Sequence, residues 1–75
     1  MNYQDKTIVV TGGSGMIGTH MIKKLLKRGA DVRTHIHKSP LKIDDDRIEI
    51  LNNIDLTNID DCIELIDGAD YVIHL

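Results

Sequence analysis

Two rhythms of hydrophobic and polar positions run through the 75-residue chain, one suited to strands and one to half-buried helices. The first apolar run, Thr7-Ile8-Val9-Val10, is β-branched and free of proline and glycine, which predicts a strand buried on both faces. From residue 16 the spacing changes. Ile17, Met21, Ile22, Leu25 and Leu26 recur at helical intervals, with Thr19, His20, Lys23, Lys24, Lys27 and Arg28 largely opposite. This predicts a helix over 16–28 whose basic last turns complement the negative pole of its dipole and whose C′ position is Gly29. A second strand is predicted over 31–37, with Val32, Thr34 and Ile36 on one face and Arg33, His35 and His37 on the other. Such alternation is unusual inside a parallel sheet, so part of this strand is expected to meet water or a ligand.

Residues 38–46, with Pro40 and the run Asp44-Asp45-Asp46, read as a surface connection. A third strand follows over 47–51. Then Leu56 as a staple, Thr57 as N-cap and Asp60 three residues on announce a second helix, with Ile59, Cys62, Ile63 and Ile66 as its apolar stripe. Gly68 ends that helix, and 71–75 make a fourth strand. With right-handed crossovers the order implies an α/β fold, a parallel sheet of four strands ordered 3-2-1-4 with helices on both faces. The order reverses between strands 1 and 4, where open α/β sheets bind ligands.

The same crevice is marked by the turn after strand 1. Gly12, Gly13, Gly15 and Gly18 fall within seven residues, in two overlapping registers: Gly13-x-Gly15-x-x-Gly18 and Thr11-Gly12-x-x-Gly15-x-x-Gly18. Glycines there allow positive φ, close approach of the backbone to a bulky anion, and tight packing of the helix start on the strand. The first free N–H groups of the helix then face the space above the strand, which suits a pyrophosphate.

Composition narrows the class. Hydrophobic residues make up 41% and charged residues 28%, as in ordinary globular proteins, while two tyrosines and no Trp or Phe leave an aliphatic core. A net charge of −3 gives no reason to expect nucleic acid, and no apolar run approaches membrane-spanning length. The one cysteine, Cys62, has no internal disulfide partner, falls on the apolar stripe and suits the cytoplasm. His35 and His37 share a face, but no Cys, Asp or Glu joins them in the pattern, so no metal site is assigned.

Taken together, Thr11 to Gly18, Asp55-Leu56-Thr57 and Val72-Ile73-His74-Leu75 resemble the N-terminal part of extended and atypical short-chain dehydrogenase/reductase proteins, the group that includes NAD-dependent epimerase/dehydratases of nucleotide sugars. The resemblance covers nearly all of the chain and implies a partial Rossmann fold and an NAD(P)-binding segment over 1–75. It implies that Gly12, Gly15 and Gly18 form the phosphate turn, with backbone contacts from Ser14, Met16 and Ile17. It also implies that Asp55 accepts from the adenine amino group, that Leu56 borders the ring, and that His74 and Leu75 approach the ribose or nicotinamide.

Two departures matter. Where an NAD site places an acid at the end of strand 2, this chain has Ile36, followed by His37 and Lys38, which favours NADP over NAD; Arg33 lies near in sequence but deeper in the strand. The family's catalytic Tyr-x-x-x-Lys pair does not occur, since neither Tyr3 nor Tyr71 has a lysine four residues later, so no catalytic residue is assigned. The chain is therefore expected to be either a truncated cofactor-binding part of an epimerase, dehydratase or reductase, or a non-catalytic dinucleotide-sensing module. In either case it has an exposed strand 4 edge open to self-association or a partner chain. A purely structural role leaves the glycines unexplained.

Overall fold

The computed structural model of the chain describes residues 3–12, 15–36, 41 and 43–75. Six elements follow in order: β1 (Thr7–Thr11), α1 (Met16–Lys27), β2 (Asp31–Ile36), β3 (Ile48–Asn52), α2 (Ile59–Ile66) and β4 (Tyr71–His74). The strands pair in parallel and form one sheet ordered β3-β2-β1-β4, the order that the sequence predicts. The sheet is thus α/β and Rossmann-like, with β1 central.

Ile8, Val9 and Val10 are fully buried because β1 has a helix over each face. On one face Ile8, Val10 and Val32 pack with Ile22 and Leu25 of α1 and with Ala30. On the other, Val9 packs with Ile54 and Leu65, bordered by Leu51 and Ala69. Thr34, also fully buried, donates its hydroxyl to the Val10 carbonyl at 2.7 Å, which satisfies the one polar group its position brings inside. Gly29 closes α1 with φ of +86° and its N–H donating to the Leu26 carbonyl at 3.0 Å.

Several expectations are corrected. The apolar stripe of α2 is not core: Ile59, Ile63 and Ile66 are 73, 56 and 48% exposed, Cys62 is half-buried, and Leu65 is the residue that α2 buries. The helix turns its Leu65 side to Val9 and Ile54, and its C-terminal end is held by Arg33, whose Nη1 donates to the carbonyls of Leu65 (3.0 Å) and Asp67 (2.6 Å). That contact also explains the polar face of β2. Arg33 turns toward α2 and the helix's negative pole, with Glu49 accepting from its Nε at 2.7 Å, so it does not serve as a donor at the strand end. The N-cap of α2 is Asn58, which accepts from the Asp61 N–H at 3.1 Å, one residue beyond the predicted Thr57. In α1, Ile17 points outward, 70% exposed, instead of joining the core. In the connection after β2, Leu41 and Ile43 pack against the α1 core, so that segment is less polar in its contacts than it reads.

Candidate functional site

The turn after β1 begins with Gly12 at φ +73°, a conformation that costs a side-chain-bearing residue roughly 1–2 kcal/mol. The Gly15 N–H then donates to the Gly12 carbonyl at 3.2 Å, and the Thr19 N–H to the Gly15 carbonyl at 2.9 Å, which makes Gly15 the N-cap of α1. The N–H groups of Met16, Ile17 and Gly18 are the first of the helix and have no acceptor within it. Gly18 is buried, whereas the Met16 and Ile17 side chains stand out in solvent, 81 and 70% exposed. Ser14, His37 and Lys38, three of the residues expected at the site, lie outside the described residues, as does Gly13.

The two helix starts differ in a way that bears on ligands. Asn58 caps α2, which carries Asp60 and Asp61 in its first turn, so its positive end is already answered from within the chain. Gly15 offers α1 no side-chain cap, and its first turn holds no acid. The turn geometry therefore fits an external anion at α1.

β4 ends beside this turn. A Cβ built on Gly12 would lie 3.5 Å from both the Cβ and the carbonyl oxygen of Leu75, an ordinary contact. Thr11 pairs with His74 across the β1–β4 ladder, and its Oγ1 lies 2.6 Å from His74 Nδ1. The Leu75 N–H donates to the same hydroxyl at 3.2 Å. The end of β4, with His74 and Leu75, thus lies beside Gly12, and Thr11 joins them.

Asp55 and Leu56 sit between β3 and α2 on a braced loop. The Asp55 Oδ1 accepts from the Thr57 N–H (2.9 Å) and hydroxyl (2.7 Å). The Asp55 N–H donates to Asp61 Oδ2 at 2.9 Å. These bonds orient the carboxylate and hold the loop, so Asp55 has a structural role whatever else it does. Leu56, 40% exposed, separates two clefts on the α2 side of the sheet. One, of about 270 Å³, is lined by His35, Ile54, Asp55 and Leu56. The other, of about 250 Å³, runs from Thr11 and His74 to Leu56, Cys62, Leu65 and Ile66. Cys62 donates its thiol to the Leu56 carbonyl at 3.2 Å, as part of the cleft wall. His35 and Thr11 were not among the expected site residues. The alternation of β2 marked the face on which His35 lies, whereas nothing local marked the contact of Thr11 with a residue 63 positions away.

With this geometry in place, comparison with known proteins defines the class. Residues 8–75 match the model of the NAD dependent epimerase/dehydratase family, and the chain belongs to that family. Among curated relatives, the 3 beta-hydroxysteroid dehydrogenase/isomerase of Mycobacterium tuberculosis is 34% identical over 67 residues, which is 89% of this chain and 18% of that protein. An epimerase from Methanothermobacter thermautotrophicus superposes with a TM-score of 0.83 at 28% identity, covering 97% of this chain and 23% of its own. A short chain dehydrogenase from Leptospira borgpetersenii, solved with bound NAD+, gives 0.72 at 30% identity over 87% of this chain and 26% of its own. The chain thus spans about a fifth to a quarter of these relatives' lengths. Among the described residues no helix is long and apolar enough to cross a membrane.

Proposed function

We propose that this chain is a dinucleotide-binding segment whose pyrophosphate site is the glycine turn and the start of α1. The observation that carries the reading is the uncapped, acid-free N-terminus of α1 at Gly15, set where β1 and β4 end together. The backbone of Gly12, Ser14, Gly15, Met16, Ile17 and Gly18 holds the phosphates. Thr57 orients the Asp55 carboxylate, which receives the adenine amino group, while Leu56 borders the ring. His74 and Leu75, at the end of β4, approach the ribose or the nicotinamide.

The cofactor preference follows from the end of β2. Ile36 supplies no acid for the ribose hydroxyls, and His37 and Lys38 follow it in sequence, which favours the 2′-phosphate of NADP. In the parent enzyme the segment serves an epimerase, dehydratase or reductase acting on a nucleotide sugar or another small carbonyl or hydroxyl substrate. A second reading, a non-catalytic sensing module that associates through the β4 edge, draws on β4 standing at one end of the described sheet with Tyr71 and Val72 exposed.

The test is an amide NMR titration of the chain with NADPH and with NADH. Expected are shifts at Gly12, Gly15 to Gly18 and Asp55, at lower NADPH than NADH concentration. Gly15→Val isolates binding from folding. Gly15 has φ of −78°, and among the described residues a Cβ there meets only the Gly12 carbonyl at 3.6 Å, so the fold accepts the side chain while the space over the helix start is filled. A folded Gly15→Val chain that binds NADPH as well as the parent sinks the proposed pyrophosphate site.

A further inference from the structure

Thr11 is 6% exposed, and its hydroxyl lies between two partners from the end of β4. The Leu75 backbone N–H can only donate, so one lone pair of Oγ1 is taken. His74 Nδ1, 2.6 Å away, either accepts the hydroxyl hydrogen or donates a second hydrogen to the same oxygen. In the second arrangement the hydroxyl hydrogen needs a third partner, and no other hydrogen bond is formed by that hydroxyl among the described residues. A buried hydroxyl left without an acceptor is costly, so the first arrangement wins. Nδ1 then carries no proton, and the neutral ring carries its hydrogen on Nε2. His74 is exposed and lines the 250 Å³ cleft, so this second nitrogen, on the side of the ring away from Thr11, is the one offered to a ligand.

We infer that Thr11 is a positioning residue that fixes His74 in its Nε2–H tautomer, making it a hydrogen-bond donor toward an acceptor oxygen of the bound dinucleotide. The tautomer follows from the hydroxyl geometry alone; the ligand's identity rests on the dinucleotide reading above. The arrangement makes the end of β4 answer to the end of β1. One hydroxyl sets both the Leu75 backbone and the face His74 presents, immediately beside Gly12.

Two-bond proton–nitrogen correlation spectra of the imidazoles in the 15N-labelled chain, at mildly alkaline pH, read the tautomer directly, with His74→Gln identifying the signals. The parent chain should show His74 with the hydrogen on Nε2. Thr11→Val should give a mixture of tautomers, and Thr11→Ser, which keeps the hydroxyl, should restore the single form. In titrations with NADPH the His74 ring signals should move. Thr11→Val should weaken binding about five-fold, the worth of one ordinary hydrogen bond, with Thr11→Ser close to the parent. A parent His74 protonated on Nδ1 overturns the inference, as does a folded Thr11→Val chain that keeps the pure Nε2–H form. If NADPH moves the amides of the glycine turn but not the His74 ring, the donor role fails while the dinucleotide site stands. If neither NADPH nor NADH moves either, the dinucleotide reading itself fails, and the tautomer result still judges the positioning of His74 by Thr11.

Discussion

α1 and α2 cover opposite faces of one sheet by different means. α1 sends Ile22 and Leu25 into a continuous aliphatic cluster with Ile8, Val10, Ala30 and Val32, and the chain after β2 adds Leu41 and Ile43. α2 commits only Leu65 to a cluster with Val9 and Ile54, and leaves three isoleucines in solvent. What α2 lacks in apolar contact it makes up with polar ties at both ends. Asn58 and Asp61 fix its start to the Asp55 loop, and Arg33 of β2 binds its last carbonyls. The α1 face is therefore held by area removed from water, which is indifferent to small displacements. The α2 face is held by directional bonds, which set where the helix sits and leave open the two clefts beside Leu56. The face that carries Asp55, Leu56 and the two clefts is the more thinly packed of the two, as binding regions often are.

The largest effect expected from this contrast is in core truncation. Ile22→Ala should cost about 3–4 kcal/mol, because Ile22 is fully buried in the larger cluster and the surrounding strands cannot collapse onto the void. Leu65→Ala, in the smaller cluster beside an open cleft, should cost about 2 kcal/mol, since the site relaxes more readily. Urea denaturation of both variants measures the pair. A domain of this length has roughly 4–11 kcal/mol in total, so Ile22→Ala should leave the chain close to unfolding. If Leu65→Ala proves the more damaging change, the two faces are packed alike and the contrast is wrong.

Next in size is the tie at the end of α2. Arg33→Met keeps most of the apolar stem and removes the guanidinium, leaving the Leu65 and Asp67 carbonyls without their donor. The expected cost is about 1–2 kcal/mol. Most of it should come from the helix carbonyls, because Glu49 is 59% exposed and its pair with Arg33 is worth under about 1 kcal/mol. Hydrogen exchange gives a sharper reading than global stability. The amides of α2 should lose protection while those of α1 keep theirs; equal loss in both helices would mean that Arg33 supports the whole sheet and not α2 in particular. Glu49→Gln serves as the control and should change stability by no more than about 0.5 kcal/mol.

These same contacts show where sequence reading succeeds and stops. β1, the glycine turn and α1 are legible because each is decided locally: a β-branched run, a backbone that needs glycine at Gly12, an amphipathic repeat closed by Gly29. The sheet order follows from handedness, whereas the roles expected of Asp55, Leu56, His74 and Leu75 come from the family resemblance. The facing of α2 is not legible, because its buried side is settled by contacts distant in sequence, Leu65 with Val9 and Ile54 and Arg33 with carbonyls 32 and 34 positions away, which periodicity does not carry. The N-cap was missed by one residue because Thr57 and Asn58 are both good caps, and Thr57 is engaged by Asp55 instead. Thr11 read as the strand end of a glycine motif; only three-dimensional proximity reveals that its hydroxyl meets His74.

The smallest expected effect is the most pointed for the comparison, because it concerns residues that the amphipathic pattern marks as core. Ile63 stands on the outward side of α2 with 56% of its surface in water. Ile63→Ser exchanges side chains of similar helix propensity and creates no cavity, so stability should stay within about 0.5 kcal/mol of the parent. Ile59 and Ile66 flank it on the same side, and together the three form the kind of exposed apolar surface that draws molecules together. Ile63→Ser should therefore reduce any concentration-dependent association seen by sedimentation while leaving the unfolding midpoint of the dilute chain in place. A cost above about 1 kcal/mol in dilute solution would mean that the stripe is packed within the chain after all. In that case α2 would be seated by its isoleucines, the role of Arg33 would become secondary, and the distinction between an area-held face and a bond-held face would not survive.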